Sequence, residues 1–180
     1  MGDKILYFGY GTNSRLEMME GITGRKKLKG QPAFLKGYKL CIQKLNQMPN
    51  IVVPASPPRR LRDLLREQWG NNFESYVILP GGKNDIVRGT LWELTKNERD
   101  LVKNWEQIDY LYKEIKVKVT VENGQIFDAL TESLGNNQKF DREIDGLNYQ
   151  PFLRKIKDYI KISQEARLKY FERKNRARKK

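Results

Sequence analysis

Tyr7-Phe8-Gly9-Tyr10-Gly11-Thr12-Asn13 is the stretch from which the rest of the chain is read. With Ile5 and Leu6 before it, residues 5–8 form a short apolar run with aromatic content, the pattern of a buried strand. The run then breaks into two glycines, a threonine and an asparagine. Glycine opens backbone geometries closed to other residues and lets a ligand approach the main chain. A strand ending this way can aim several N–H groups into one cavity, where they suit a carboxylate or an oxyanion that develops during a reaction. On spacing alone, a strand followed by an ordinary turn accounts for the same residues.

The surrounding composition limits the chemistry. A length of 180 residues fits one domain with a substantial core. Histidine is absent, which excludes Ser-His-Asp and Cys-His catalysis and histidine-ligated zinc or iron. Proton transfer, if the chain is an enzyme, falls to a carboxylate, lysine, tyrosine or cysteine. Cys41 is the only cysteine, so no internal disulfide forms; in the apolar run Leu40-Cys41-Ile42 it reads as a buried thiol. No metal or cofactor is expected. The sequence shows no apolar stretch of spanning length and no signal-peptide pattern, so the expected location is cytoplasmic, without a membrane. The net charge is +13. More than half of it falls in residues 166–180, where Arg167, Lys169, Arg173, Lys174, Arg176, Arg178, Lys179 and Lys180 face one acid, Glu172. The chain therefore divides into a domain over 1–165 and a basic tail over 166–180.

In chain order, Ser14 and Glu17 have the spacing of a capping box for a short helix over Leu16, Met18 and Met19. Residues 37–42 read as a strand, with a possible next one over Ile51–Val53. Ser56-Pro57-Pro58 has the form of a helix start before Leu61, Leu64, Leu65 and Trp69. Strands follow over 73–79 and 86–94. Thr95 and Glu98 form a capping box for a helix carrying Leu101, Val102, Trp105 and Ile108. Residues 111–121 alternate strongly, Asn123-Gly124 signals a hairpin, and 125–130 return. Residues 134–148 are polar and loop-like, and Pro151 opens a long final helix. Five to seven strands and three or four helices, without strand–helix alternation, fit a mixed α+β domain built on a small barrel.

The opening stretch resembles the Tyr-Phe-Ala-Tyr-Gly-Ser-Asn signature of the gamma-glutamylcyclotransferase-like family. Gly89-Thr90-Leu91-Trp92-Glu93-Leu94 is similar to a later strand of that family, and Trp105-Glu106-Gln107 stands where the family carries its acid. Tyr112, Ile115, Val117 and Val119 match the strand after it. The ordered set covers residues 4–130 and stops short of the tail. It implies a small mixed β-barrel with peripheral helices and the signature loop at its mouth. It also implies a reaction: the free α-amine of a gamma-glutamyl amide attacks its own γ-carbonyl, giving 5-oxoproline and a released amine. By resemblance Glu106 is the general acid and base, and Tyr7, Gly9, Tyr10, Gly11, Thr12, Asn13 and Tyr112 hold the substrate. The family's tyrosine at the start of the last helix has Phe152 as its nearest match, with Tyr149 close by as the substitute contact.

Three departures stand out: Gly9 for alanine and Thr12 for serine, both mild, and Gln107 where the family has a glycine, which puts the turn carrying Glu106 in doubt. Glutathione, gamma-glutamyl amino acids, gamma-glutamyl-lysine amides and antibiotic side chains all share the required half. Two other classes stay open: a non-catalytic binding module on the same fold, and nucleic-acid binding through residues 166–180, where basic and aromatic residues mix.

Overall fold

The computed structural model describes residues 4–54 and 57–177. In chain order the elements are β1 (Ile5–Gly9), α1 (Leu16–Thr23), β2 (Gly30–Lys36), β3 (Tyr38–Lys44), β4 (Val52–Val53), β5 (Arg59–Arg60) and α2 (Leu61–Trp69). Then come β6 (Glu74–Pro80), β7 (Ile86–Leu94), α3 (Lys96–Trp105), β8 (Tyr112–Val121), β9 (Ile126–Leu134), β10 (Arg142–Ile144) and α4 (Ile156–Ala177). Five strands close into a barrel in the order β1-β7-β2-β8-β9. The closing contact, Tyr7 against Leu130, is parallel, and the other barrel pairs are antiparallel. A three-stranded sheet, β10-β3-β6, and the β4-β5 ribbon lie outside the barrel. The expected α+β barrel with peripheral helices is the observed architecture.

Two buried clusters follow from the patterning. Phe8, Leu35, Val87, Leu91 and Val119 fill the barrel from alternate positions of its strands. Met18, Met19, Leu61, Leu65, Trp69, Leu101 and Val102 join the helices to the sheets. Each such side chain contributes about 1.5–3 kcal/mol on burial. The Thr95 hydroxyl accepts from the Glu98 N–H while Glu98 reaches back to the Thr95 N–H at 2.7 Å, so α3 starts where its capping box places it. Cys41 is fully buried.

The local reading missed in instructive places. Ser14 does not cap α1; its hydroxyl turns back to the Gly11 carbonyl at 2.8 Å, and Arg15 occupies the N-cap without a side-chain bond. β2 carries Pro32 and begins at Gly30, residues that argue against a strand, but β2 pairs fully with β7 and with β8 over only three positions. α2 begins at Leu61, because Arg59 and Arg60 pair with Val53 and Val52 instead; the expected cap Ser56 lies outside the described residues. β10 sits within the stretch read as loop. α4 starts at Ile156 and runs unbroken to Ala177, so the 165/166 boundary falls inside it. Arg167 fastens it to α1 by donating to the Gly21 carbonyl at 2.8 Å. Among the described residues, no helix is long and apolar enough to cross a membrane.

Candidate active site

β1 delivers the signature loop to the barrel mouth, and the loop folds back on itself. The Asn13 N–H donates to the Tyr10 carbonyl at 3.1 Å, and the Trp92 indole N–H holds the Asn13 carbonyl at 2.8 Å. This return leaves no room at Gly9, where a Cβ would stand 2.3 Å from the Asn13 oxygen. The change from alanine, expected to be mild, is therefore matched by a loop drawn tight against it. Gly11 adopts φ +57°, and a Cβ there would press on Tyr76. The Gly11 N–H donates to the Tyr149 hydroxyl at 2.9 Å, and that hydroxyl donates to the Arg88 carbonyl at 2.8 Å. Among the described residues, neither the Tyr10 nor the Thr12 amide is taken up by a turn or loop bond.

The acid arrives from the opposite side. Glu106 is the C-cap of α3, its N–H bonded to the Val102 carbonyl at 2.9 Å. The next residue takes φ +51°, so Gln107 supplies the left-handed turn that a glycine would make easily. A non-glycine residue held there costs about 1–3 kcal/mol. The turn is tied down by Leu111 and Tyr110, whose N–H groups donate to the Gln107 carbonyl at 2.8 and 3.0 Å, and by Gln107 itself, whose side chain donates to the Asn104 carbonyl at 2.8 Å. The doubt over this turn is answered in the backbone: it forms without the glycine.

One asparagine joins the two halves. Asn13 Nδ2 donates to Glu106 Oε1 at 2.6 Å and to the Tyr7 hydroxyl at 2.8 Å. Tyr7 in turn donates to Glu132 Oε2 at 2.8 Å, and Glu132 Oε1 accepts from Arg99 Nη1 at 2.9 Å. Arg99 also binds Glu114 at 2.7 Å, and its guanidinium lies 4.6 Å from the centre of the Tyr7 ring. The polarity of this chain is forced. Arginine only donates, so Glu132 accepts; Tyr7 spends its one proton on Glu132 and must accept from Asn13. The asparagine is thereby locked with its NH2 towards Glu106.

Burial pushes the Glu106 carboxyl well above the usual carboxylate range, and the nearby Glu132 charge adds to the rise; the Asn13 bond and Arg99 oppose it. Glu132 is also raised, chiefly by burial, against the pull of Arg99 and Tyr7. Burial likewise raises Tyr7 and Tyr112, which stay protonated.

A cavity of about 800 Å³ opens over these groups. Of the residues expected at the site, Tyr10, Gly11, Thr12, Asn13, Glu106 and Tyr112 line it. Tyr7, Gly9 and Tyr149 stand behind the wall: Tyr7 in the hydrogen-bond chain, Gly9 under the loop's return, and Tyr149 pinning Gly11. Tyr149 supports the loop through its bond to Gly11 and is not among the residues that line the cavity. Phe152 packs on Tyr159, ring centres 5.9 Å apart. Glu132 and Arg99 were not anticipated. Their only sequence signal is the polar trio Thr131-Glu132-Ser133 in a strand otherwise read as ending at Leu130, and all three are buried. Among the described residues, no group of three His, Cys, Asp or Glu is placed to hold a metal ion.

No known family pattern matches the sequence, and no curated protein matches it either. Solved structures do. A structure named gamma-glutamyl cyclotransferase is 19% identical over 78% of this chain and 72% of its own, with a TM-score of 0.58. An uncharacterized human protein is 18% identical over 78% and 71%, TM-score 0.57. A protein of Arabidopsis thaliana is 14% identical but spans 98% of this chain and 94% of its own, TM-score 0.50. The chain has a gamma-glutamylcyclotransferase-like fold.

Proposed function

We propose that the protein is a cofactor-independent cyclotransferase that converts a gamma-glutamyl amide to 5-oxoproline and a free amine. The observation that carries the reading is the 2.6 Å bond from Asn13 to Glu106, which ties a carboxylate of raised pKa to the signature loop at the floor of one cavity. Because the substrate carries its own nucleophile, the protein must mainly fold it and manage protons, and orientation alone is worth up to about 7–11 kcal/mol in favourable cases.

Glu106 in its ionised form takes a proton from the α-ammonium. The freed amine attacks the γ-carbonyl, the ring C–N bond forms, and the carbonyl oxygen becomes an oxyanion within reach of the Tyr10 and Thr12 amides. Glu106, now an acid, gives its proton to the leaving nitrogen as the amide C–N bond breaks. The ring nitrogen's surplus proton follows the same route, and 5-oxoproline and amine depart. A carboxyl of ordinary pKa, about 4.3, is a poor base towards an ammonium. The raised pKa of Glu106 brings the two closer, and Asn13 keeps the accepting oxygen in place. Arg99 and Glu132 act through Tyr7 and Asn13 and are positioning residues.

The test is a panel of gamma-glutamyl compounds scored for 5-oxoproline by mass spectrometry. N-acetylation of the α-amine should abolish the product. Hydrolysis of the acetylated compound to an acylated glutamate would mean that water is the nucleophile and that the protein is an amidase.

A further inference from the structure

We propose that the outer half of the cavity is a preformed site for the amine half of the substrate, and that this half is an uncharged amine bearing an aromatic ring. The proposal rests on the cyclotransferase reading. A glutamyl group has roughly nine non-hydrogen atoms, whereas about 800 Å³ has room for some two dozen at about 30 Å³ each. Beyond the signature loop and Glu106, the lining residues come largely from α2 and α4, and the departing nitrogen's substituent would lie among them.

Much of that outer wall is carbon. Trp69 and Leu65 of α2, Phe73 beyond it, Trp105 beside the acid, and Tyr159 and Ile162 of α4 line it. The rings are fixed by one another. Trp69 stacks on Phe73 with centres 5.7 Å apart at 17°, meets Tyr159 at 4.9 Å, and takes Trp105 edge-on at 6.3 Å. Arg154 lies over both Trp69 and Phe73, 5.8 and 5.7 Å from their centres, and its guanidinium donates to the Trp69 carbonyl. The wall needs no rearrangement to receive a flat apolar group, and aromatic pairs are favoured beyond the area they bury. Tyr159 offers the one hydroxyl among these rings, pushed up to about 12 by burial and so protonated.

Charge argues for a neutral occupant. The ionic side chains of α4 at the rim come in both signs, Lys169, Arg173 and Arg176 with Glu165 and Glu172. Arg59 is already paired with Glu67 at 2.5 Å, and Arg173 donates to Asn104 at 2.7 Å. A carboxylate held against the rings themselves would meet no cation among them, and an unpaired charge is poorly accommodated there.

Gamma-glutamyl-2-phenylethylamide and gamma-glutamylethylamide release amines of similar basicity and differ by the ring, so their kcat/KM ratio reads the site. The wild-type protein should favour the phenyl compound by at least about tenfold, or about 1.4 kcal/mol, and should turn over gamma-glutamylglycine more slowly than the phenyl compound. Trp69→Leu or the less buried Ile162→Asp should bring the ratio near one while ethylamide turnover persists. Equal use of the two amides, a preference for the glycine compound, or a phenyl preference kept in both variants would overturn the proposal. If no amide yields 5-oxoproline, the function reading has failed. The site is then judged by titrating the neutral amides N-(2-phenylethyl)acetamide and N-ethylacetamide while following the Trp69 and Trp105 indole N–H resonances. Shifts with the phenyl compound alone support the aromatic site, and none with either rejects it.

Discussion

The two halves of the cavity are built on different principles. The inner half is polar and tightly specified: a loop folded against Gly9, a strained Gln107 and a hydrogen-bond chain whose direction is set from Arg99 to Glu106. The outer half is a set of stacked rings between α2 and α4 with mixed charges at the rim. The inner half has the parts for moving a proton, and the outer half has parts only for holding a group. A substitution in one should therefore change turnover, and in the other the choice of substrate.

The largest effect belongs to Glu106→Gln. It keeps the shape and removes the proton carrier, so kcat should fall at least about 100-fold, the low end for a general acid–base group, with KM little changed. Glu93, half-buried on β7 and paired with Lys4, is the control, and its glutamine variant should keep full turnover. An active Glu106→Gln would make the polar half a scaffold and erase the distinction between the halves.

The positioning chain comes next. Glu132→Gln removes the charge that orders Tyr7 and Asn13, and kcat should fall by about tenfold. Glu106 faces Glu132 on β9, Arg99 on α3, Tyr7 on β1, Tyr112 on β8 and Tyr159 on α4. Of these, the Glu132 charge raises its pKa, so removing it moves the rising limb of the pH–rate profile to lower pH. A loss of melting temperature with an unmoved limb would reduce Glu132 to a structural role. Arg99→Met should cost about 3–5 kcal/mol of stability, because it strands a buried carboxylate, and thermal unfolding reads it.

A smaller change sharpens the outer half. The variant ending at Glu165 keeps Tyr159 and Ile162 but loses Lys169, Arg173 and Arg176 from the rim. It should keep ethylamide turnover within about tenfold, or 1.4 kcal/mol of barrier. A deeper loss would show that the end of α4 helps to build the catalytic half.

A further effect is on the pH dependence of stability. The folded pKa of Glu106 is raised, so the folded state binds its proton more tightly than the unfolded chain does. The resulting stabilisation is full at acid pH and is lost as pH rises through the raised pKa. Glutamine cannot ionise, so Glu106→Gln should melt higher than wild type at pH 9 and not at pH 4. The reverse order would mean that Glu106 is stabilised as an anion.

How much could be read beforehand also differs between the halves. The barrel, the loop and the α3 cap were legible because each is encoded by neighbours: an apolar run before Gly9, Thr95 three residues from Glu98, alternation into Asn123-Gly124. Glu132 was not, because a buried carboxylate in a strand is explained only by Arg99 from another element. β2 was hidden by Pro32, whose missing N–H hides a strand made by its pairing with β7. The ring wall was hidden because Trp69 and Tyr159, ninety residues apart in sequence, meet only after α4 docks. The basic residues 166–177 continue α4 and are mostly exposed, and the contacts of Arg167 and Arg173 with α1 and Asn104 could not be read from their conspicuous charge.

The central claim is that burial, helped by the nearby Glu132 charge, turns Glu106 into a proton carrier while Asn13 holds its oxygen in place. A carbon-13 NMR titration of the side-chain carboxyls, assigned by the signal missing in Glu106→Gln, measures it directly in the unliganded protein. Glu106 should titrate well above the ordinary value of about 4.3, and the titration should move down in Glu132→Gln. A Glu106 that titrates with the surface carboxylates would contradict the account.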